Sequence, residues 1–321
     1  MKKHLLAIAI ASAMPLVATA QNVSIYGQID AGIINTDTDG GAKTTSSSNS
    51  LLSTSVLGFR GSEDLGGGLK AEFELQTAVN YKDGTVGTTF DTSAATGTAH
   101  IFSREAWVGV SGGFGALRFG RTDVTSAQGV DTVANLGNLN DFITDLGVDQ
   151  SNVIRYTSPV INGFQAQVGY ANSASATVKG ATDVTSGYLQ YVEGPLAVRL
   201  GVTTAEVASA DDDKQTALSI AYDAGVARVA VASNRIDSAT STTDARESHG
   251  YVSVPLGQGL TAHASYGKHT PNSGSSRTLM GLGVVKDLSK RTNAYVAYMG
   301  TEYKHTTADK AEIAIGLRHA F

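Results

Sequence analysis

The residues of this chain that could do chemistry do not form a catalytic or metal-binding pattern. Its histidines at positions 100, 249, 263, 269, 305 and 319 have no metal-ligand spacing. The glycine-rich residues 66–68 and 112–115 lack a following Lys-Ser/Thr and a helical pattern, so we interpret them as turns rather than phosphate cradles. The aspartate-containing segments 37–40 and 211–213 could bind calcium in outer loops, but neither matches a full calcium-coordinating loop. We therefore expect no metal, no cofactor and no catalytic residue.

A group of acidic side chains that could act on passing ions lies in the longest connection of the chain. Residues 122–151 show no alternating pattern and carry the aspartates Asp131, Asp141, Asp145 and Asp149. Such a long connection without regular structure is uncommon unless it has a function. If the rest of the chain encloses a wide space, the simplest function is to fold inward and narrow that space. These four carboxylates are then candidate constriction residues.

The elements that would position these acids are β-strands. The last strand, residues 311–321, places Ile313, Ile315, Leu317, His319 and Phe321 on one face, with small or charged residues on the other. Alternate side chains of a strand point to opposite sides. An apolar stripe that ends on an aromatic ring is typical of a strand that lies against lipid, with its ring at the membrane interface. Residues 23–33 and 69–76 alternate in the same way.

The composition agrees with an exported protein made of many strands. Residues 1–20 have Lys2 and Lys3, a short apolar core and a small-x-small sequence before Gln21, which predicts a cleaved signal peptide. The remaining residues, 21–321, form one predicted domain. The chain has 36 Gly, 12 Tyr and no Cys, so a hydrogen-bonded framework rather than disulfides must hold it together. Its net charge is −5, and we expect no nucleic-acid partner.

The lengths of the connections indicate how the strands are arranged. Connections near residues 64, 113, 159, 194, 224, 256 and 288 are short, whereas those between them, including the polar residues 35–50, are long. Outer-membrane barrels have short periplasmic turns and long outer loops. The pattern predicts an all-β transmembrane antiparallel β-barrel of 16 strands, in which the third outer loop folds inward. A barrel of this size leaves an aqueous channel.

Five segments together resemble the general trimeric porins of Gram-negative bacteria, in the beta-proteobacterial branch. They are SIYGQID at 24–30, LGFRGSEDLGGGLKA at 57–71, REAWVGV at 104–110, NVIRYTSP at 152–159 and GLRHAF at 316–321. The resemblance covers residues 21–321. It implies a homotrimer with one pore per subunit, an inward third loop, and a second loop, roughly residues 81–98, that contacts the neighbouring subunit.

The resemblance also implies arginines on the barrel wall opposite acids on the inward loop. Matched by motif, Arg60 and Arg104 occupy such wall positions, and Gln28 shares the lumen-facing side of the first strand. Opposed charges across a narrow passage create a transverse field that filters ions by sign. Val56 and Asp149 stand where the branch carries arginine, so the sign of the selectivity stays open.

These observations predict a pore in the outer membrane of a Gram-negative bacterium for passive diffusion of ions and small hydrophilic solutes. The expected partners are outer-membrane lipid and lipopolysaccharide, two further copies of the chain, and the barrel-assembly machinery, which the resemblance implies would read Phe321. We also expect the first and last strands to pair, so that Gln21 lies near the carboxylate of Phe321.

Two other classes of protein remain open at this point. One is an outer-membrane barrel enzyme similar to a phospholipase, since such enzymes use lipid-facing Ser and His. The other is a secreted adhesin built as a β-sandwich. A soluble adhesin would not need detergent for its extraction. Its last strand would also not carry a continuous apolar stripe that ends in Phe321.

Overall fold

A computed structural model describes residues 22–86, 101–123, 149–172, 181–207, 211–238, 244–272, 274–304 and 308–321. The predicted signal segment 1–20 and most of the predicted third loop lie outside these ranges, so both stay predictions. Within the described ranges, no helix is long and apolar enough to span a membrane. The regular structure consists of seventeen strands: β1 Asn22–Thr38, β2 Thr44–Asn49, β3 Val56–Gly66, β4 Leu69–Ala78, β5 Glu105–Gly112, β6 Gly115–Asp123, β7 Asp149–Thr157, β8 Phe164–Asn172, β9 Ala181–Glu193, β10 Leu196–Val207, β11 Asp213–Asp223, β12 Arg228–Asp237, β13 Ala245–Gly257, β14 Leu260–Pro271, β15 Arg277–Asp287, β16 Thr292–Tyr303 and β17 Lys310–Ala320.

These strands form one closed antiparallel barrel. From β3 to β17 each strand pairs with the next strand in sequence, and β17 pairs back onto β1 from Gln28↔Ala320 to Thr38↔Lys310. β2 and β3 pair with successive parts of β1 and occupy one strand position in the barrel. The seventeen strands therefore fill sixteen strand positions, which we call staves. The predicted sixteen-stranded barrel is therefore confirmed. Closure leaves no unpaired sheet edge in lipid.

The two faces of the barrel wall follow the predicted alternation. On β17, Ile313, Ile315 and Leu317 are exposed on the outside, with 52%, 62% and 46% of their surfaces accessible, while Ala314 between them is fully buried. The same pattern repeats on β11, where Leu218 and Ile220 are exposed and Ala217 and Ser219 are buried. An exposed apolar outside with small or polar residues inside is the arrangement that a lipid-embedded barrel requires.

The seam between the first and last strands closes at Phe321. The backbone N–H of Phe321 donates to Gly27 O at 3.0 Å, and the Gly27 N–H donates to Phe321 O at 3.2 Å. A Cβ on Gly27 would lie 2.4 Å from Val56 O and 2.7 Å from the Phe321 ring, so only glycine fits between them. β1 extends beyond this seam toward its own N-terminus and begins at Asn22, which pairs with Ser62 of β3. Gln21 lies outside the described residues, so its predicted position is not tested.

The strands are longer than their apolar alternation indicates, and one strand was missed. The polar residues 35–50, interpreted from sequence as a connection, contain the end of β1 and all of β2, which pair from Ala31↔Asn49 to Thr36↔Thr44. The interpretation of this segment was wrong because an antiparallel pair exposed to water is held by backbone hydrogen bonds and needs no apolar face. β9 likewise begins at Ala181, before Tyr188, where the sequence pattern predicts the start of this strand.

Candidate pore constriction

The inner wall of the barrel carries four arginines within seven residues of the short turns, which we call the arginine band. They are Arg60 on β3, Arg118 on β6, Arg155 on β7 and Arg199 on β10. Each has inward parity, which means that it occupies one of the alternate strand positions whose side chains point into the barrel. Each lies a few residues before or after a turn, near residues 67, 113, 160 or 194, and strands rise about 3.3 Å per residue. The four guanidinium groups therefore line the inner wall on the part of the barrel that leads to the short turns.

Three of these guanidinium groups lie over aromatic rings of neighbouring staves. The distance from the guanidinium carbon to the ring centroid is 3.9 Å for Arg118 on Trp107, 4.2 Å for Arg199 on Tyr188 and 4.8 Å for Arg60 on Tyr26. A ring under the guanidinium plane holds its position while the edge N–H groups stay available for other partners. The wall thus presents oriented positive charge.

Arg118 and Arg155 are direct neighbours in register across β6 and β7. Arg155 is buried and donates from an Nη atom to Asp123 O at 2.6 Å. Two like charges side by side repel each other, and an anion between them would relieve this repulsion. This pair therefore places two positive charges side by side on the inner wall.

The two arginines predicted from motifs meet through a polar network. Arg104, immediately before β5, donates from Nε to Gln76 Oε1 at 3.0 Å, and Gln76 Nε2 donates to the Tyr26 hydroxyl at 2.8 Å. Tyr26 in turn donates to Glu74 and supports Arg60. Although Arg104 has the outward parity of β5, it lies where the strand begins, which lets its side chain turn to the inward Gln76.

Carboxylates accompany the arginines on the same part of the wall. Arg60 and Arg118 line a recess of about 420 Å³ together with the acids Glu72 and Glu74 and the ring of Trp107. This recess thus contains two guanidinium groups and two carboxylates, so the wall here is a mixed surface rather than a uniformly positive one. Val56, at the position where the resemblance implies arginine, is a buried neutral residue opposite Gln28 and Ala78.

The remaining predicted site residues are placed differently. Gln28 faces inward, and its amide donates to Thr54 O at 2.9 Å, so it holds backbone as well as lining the wall. Asp149 opens β7 opposite Asp123. Asp131, Asp141 and Asp145 lie outside the described residues, so their role in a constriction stays a prediction. The described residues contain no cluster of three or more His, Asp or Glu that could hold a metal ion.

Sequence reasoning missed Arg118, Arg155 and Arg199 as site residues. Each lies within a segment whose alternation was recognised, and each has the parity opposite to the apolar residues. Extending the lumen-facing assignment from Arg60 to every charged residue of inward parity would have found all three. The supporting rings carried no comparable signal, because a tyrosine on a strand is equally typical of either face.

Comparisons with known proteins agree with this architecture. Residues 6–306 match the family model described as Gram-negative porin. The chain is 29% identical to outer membrane porin protein 32 of Delftia acidovorans and 28% identical to an outer membrane porin protein of Bordetella pertussis, in each case over 100% of both chains.

Solved structures show the same fold. The anion-selective porin from Comamonas acidovorans superposes with a TM-score of 0.76 at 24% identity, covering 94% of this chain and 100% of that one. A trimer form of OmpT from Vibrio cholerae superposes with a TM-score of 0.64 at 16% identity, with the same coverage. The relatives are named as porins, so the phospholipase-like alternative is not favoured, and the closed barrel excludes the sandwich. The chain therefore belongs to the Gram-negative porin family, and forms an outer-membrane pore for passive diffusion rather than an enzyme.

Proposed function

We propose that this porin passes small hydrophilic solutes with a preference for anions, set at a constriction where the arginine band faces the third loop. The observation that supports this most is the pairing of Arg118 and Arg155 within a band of ring-supported guanidinium groups. The similar porin from Comamonas is described as anion-selective, which agrees with the proposed preference for anions. Glu72, Glu74 and the loop acids moderate the preference rather than reverse it.

The experiment is planar-bilayer recording of the purified protein. We expect stepwise conductance increments in potassium chloride and, in a salt gradient, a reversal potential of the sign that chloride permeation gives. An absence of steps would contradict the pore itself. Steps with a potassium-selective reversal potential would contradict only the proposed role of the arginine band, so the two failures can be told apart.

We further propose that the chain assembles as a homotrimer in contact with outer-membrane lipid and lipopolysaccharide, and that the barrel-assembly machinery recognises the strand ending in Phe321. The trimer form of the Vibrio protein supports the first part. The exposed outer stripe of β17 supports the second, because this stripe and the half-exposed ring of Phe321 lie accessible on the outside of the barrel. The 1–20 segment would serve as the export signal.

A further inference from the structure

The second stave of the barrel contains an insertion that turns into the lumen. β2 ends at Asn49, opposite Ala31, and β3 begins at Val56, opposite Gln28. The six residues 50–55 therefore stand opposite only Ile29 and Asp30, which leaves a surplus of four. We call residues 50–55 the lumenal insertion. An ordinary β-bulge has a surplus of one residue, so this is a separate small loop inside the stave.

The lumenal insertion is fixed by the carboxylate of Asp30, which is fully buried. Asp30 Oδ2 accepts from the backbone N–H groups of Leu52 and Ser53, both at 2.6 Å. Its other oxygen accepts from the Tyr295 hydroxyl on β16 at 2.5 Å. Hydrogen bonds to an ionised acceptor are short and are among the strongest that a protein makes.

Further bonds tie both ends of the lumenal insertion to β1. The Ser50 N–H donates to Asp30 O at 3.0 Å, and the Asp30 N–H donates to Ser55 Oγ at 2.9 Å. Gln28 Nε2 adds its bond to Thr54 O. The insertion is thus held by backbone and side-chain groups of β1 in place of the missing strand pairing, as buried backbone groups require.

Apolar contacts seat the insertion against the inside of the wall. Leu51 and Leu52 are each 7% exposed and join a cluster with Tyr295, Ala297 and Ala314. Part of the wall beneath is formed by two glycines. Gly32 and Gly316 pair in register, and a Cβ on Gly32 would lie 2.7 Å from Leu51 Cδ1. The missing side chain of Gly32 therefore makes room for Leu51.

We propose that the lumenal insertion is a second, permanent narrowing of the pore, separate from the third loop, and that Asp30 is the positioning residue that holds it. Asp30, Gly32 and Tyr295 all have inward parity, so the insertion occupies the lumen side of the wall. It adds a layer of chain roughly 5–10 Å deep over three staves, judged from the spacing of packed strands. The inference rests on the proposed pore and adds a determinant of its width.

Deleting residues 51–54 tests the proposal. The deletion leaves Ser50 opposite Asp30 and Ser55 opposite Ile29, so the stave becomes continuous and every later residue keeps its face. We expect step conductance to rise ~1.5-fold or more, because the narrow section limits the current, and larger neutral sugars to enter in liposome-swelling assays. The wild-type steps recorded beside it test the pore itself.

The deletion also uncovers the Asp30 carboxylate, which would attract cations, so a second variant separates width from charge. Combining the deletion with Asp30→Asn should keep the raised conductance and return the reversal potential toward the wild-type value. Asp30→Asn alone should loosen the insertion and give noisier steps. Glu312→Gln, which removes an inward carboxylate that contacts Thr36 and Lys310 rather than the insertion, is the matched control.

A barrel with unchanged conductance and unchanged sugar exclusion after the deletion would overturn the proposal and reduce the insertion to a clamp on the seam. If the deletion variant does not assemble, a full-length variant decides. The chain has no cysteine, so Thr54→Cys can be labelled alone with a charged methanethiosulfonate. Labelling should lower the step conductance, while Ile315→Cys on the lipid side should not. No effect at Thr54→Cys would also overturn the proposal.

Discussion

At the scale of single residues, the pore is shaped by side chains that work through neighbours. Arg104 reaches the lumen by bonding to Gln76, and Arg60 is oriented by the ring of Tyr26. A guanidinium held by a ring or an amide keeps its full charge and loses little further entropy when it meets an anion. The field in the lumen therefore depends on the supporting residues as well as on the charges.

The charge of Arg104 should be visible in ion selectivity. In Arg104→Ala, we expect the anion-to-cation permeability ratio to fall ~twofold, because one fixed positive charge leaves the wall. The measurement is the reversal potential in a potassium chloride gradient. The control is Arg235→Ala, on the outer face of β12, where the arginine pairs with Asp237. An unchanged ratio in Arg104→Ala would show that this side chain does not face the ion path.

At the scale of elements, the seam and the second stave show what a sequence can and cannot predict. The pairing of β1 with the last strand was predictable because both carry a clear apolar stripe, with Ile29 and Ile33 on one and Ile315 on the other. β2 was not, because its residues have no apolar face. The lumenal insertion was also hidden, since an even surplus leaves the alternation on either side in phase.

The arginine band could be predicted only in part for a similar reason. Inward parity assigns Arg118, Arg155 and Arg199 to the lumen once strand boundaries are known. Parity alone misplaces Arg104, whose side chain turns inward where β5 begins. Side-chain direction at the end of a strand is set by local contacts that no periodic pattern encodes.

The last strand should matter for assembly more than for conduction. In a variant without Phe321, we expect the yield of folded barrel in cells to fall ~10-fold, because the seam loses its final backbone pair with Gly27 and the ring beside it. Heat-modifiable gel mobility measures the folded fraction. Pores that do assemble should conduct normally.

Phe114→Ala is the matched control for that deletion. Phe114 is an exposed aromatic in the short turn between β5 and β6, and its side chain closes no seam. We expect this variant to assemble as the wild type does. A wild-type yield without Phe321 would remove the proposed assembly role of the C-terminal ring.

At the scale of the whole molecule, the barrel divides its surface by chemistry. Its outside is apolar along β10 and β11, with Val198, Leu200, Leu218 and Ile220 facing outward, while the inside of the same staves carries Arg199, Ala217 and Ser219. Mean hydropathy near zero results from averaging these two faces. The molecule is stable because its hydrogen-bonded cylinder lets each face meet its own solvent.

A charge placed on the outer face should therefore cost far more than one placed inside. Leu200→Arg, near the middle of β10, should destabilise the barrel by about 2–4 kcal/mol, as cations at the bilayer midplane do. Ser62→Arg, an exposed position of inward parity on β3, should be nearly neutral. Urea-dependent folding into lipid vesicles measures both. Equal destabilisation would mean that the two faces are not separated in this way.

The even surplus of the lumenal insertion has a consequence for how such pores can diversify. Because four extra residues return the strand to the same phase, a stave can gain or lose such a segment while its lipid-facing residues stay in place. Pore calibre can then change independently of the surface that meets the membrane and the neighbouring subunits. The same property makes residues 51–54 a grafting site, where other even-numbered segments could be exchanged to build a set of sensing nanopores on one unchanged outer shell.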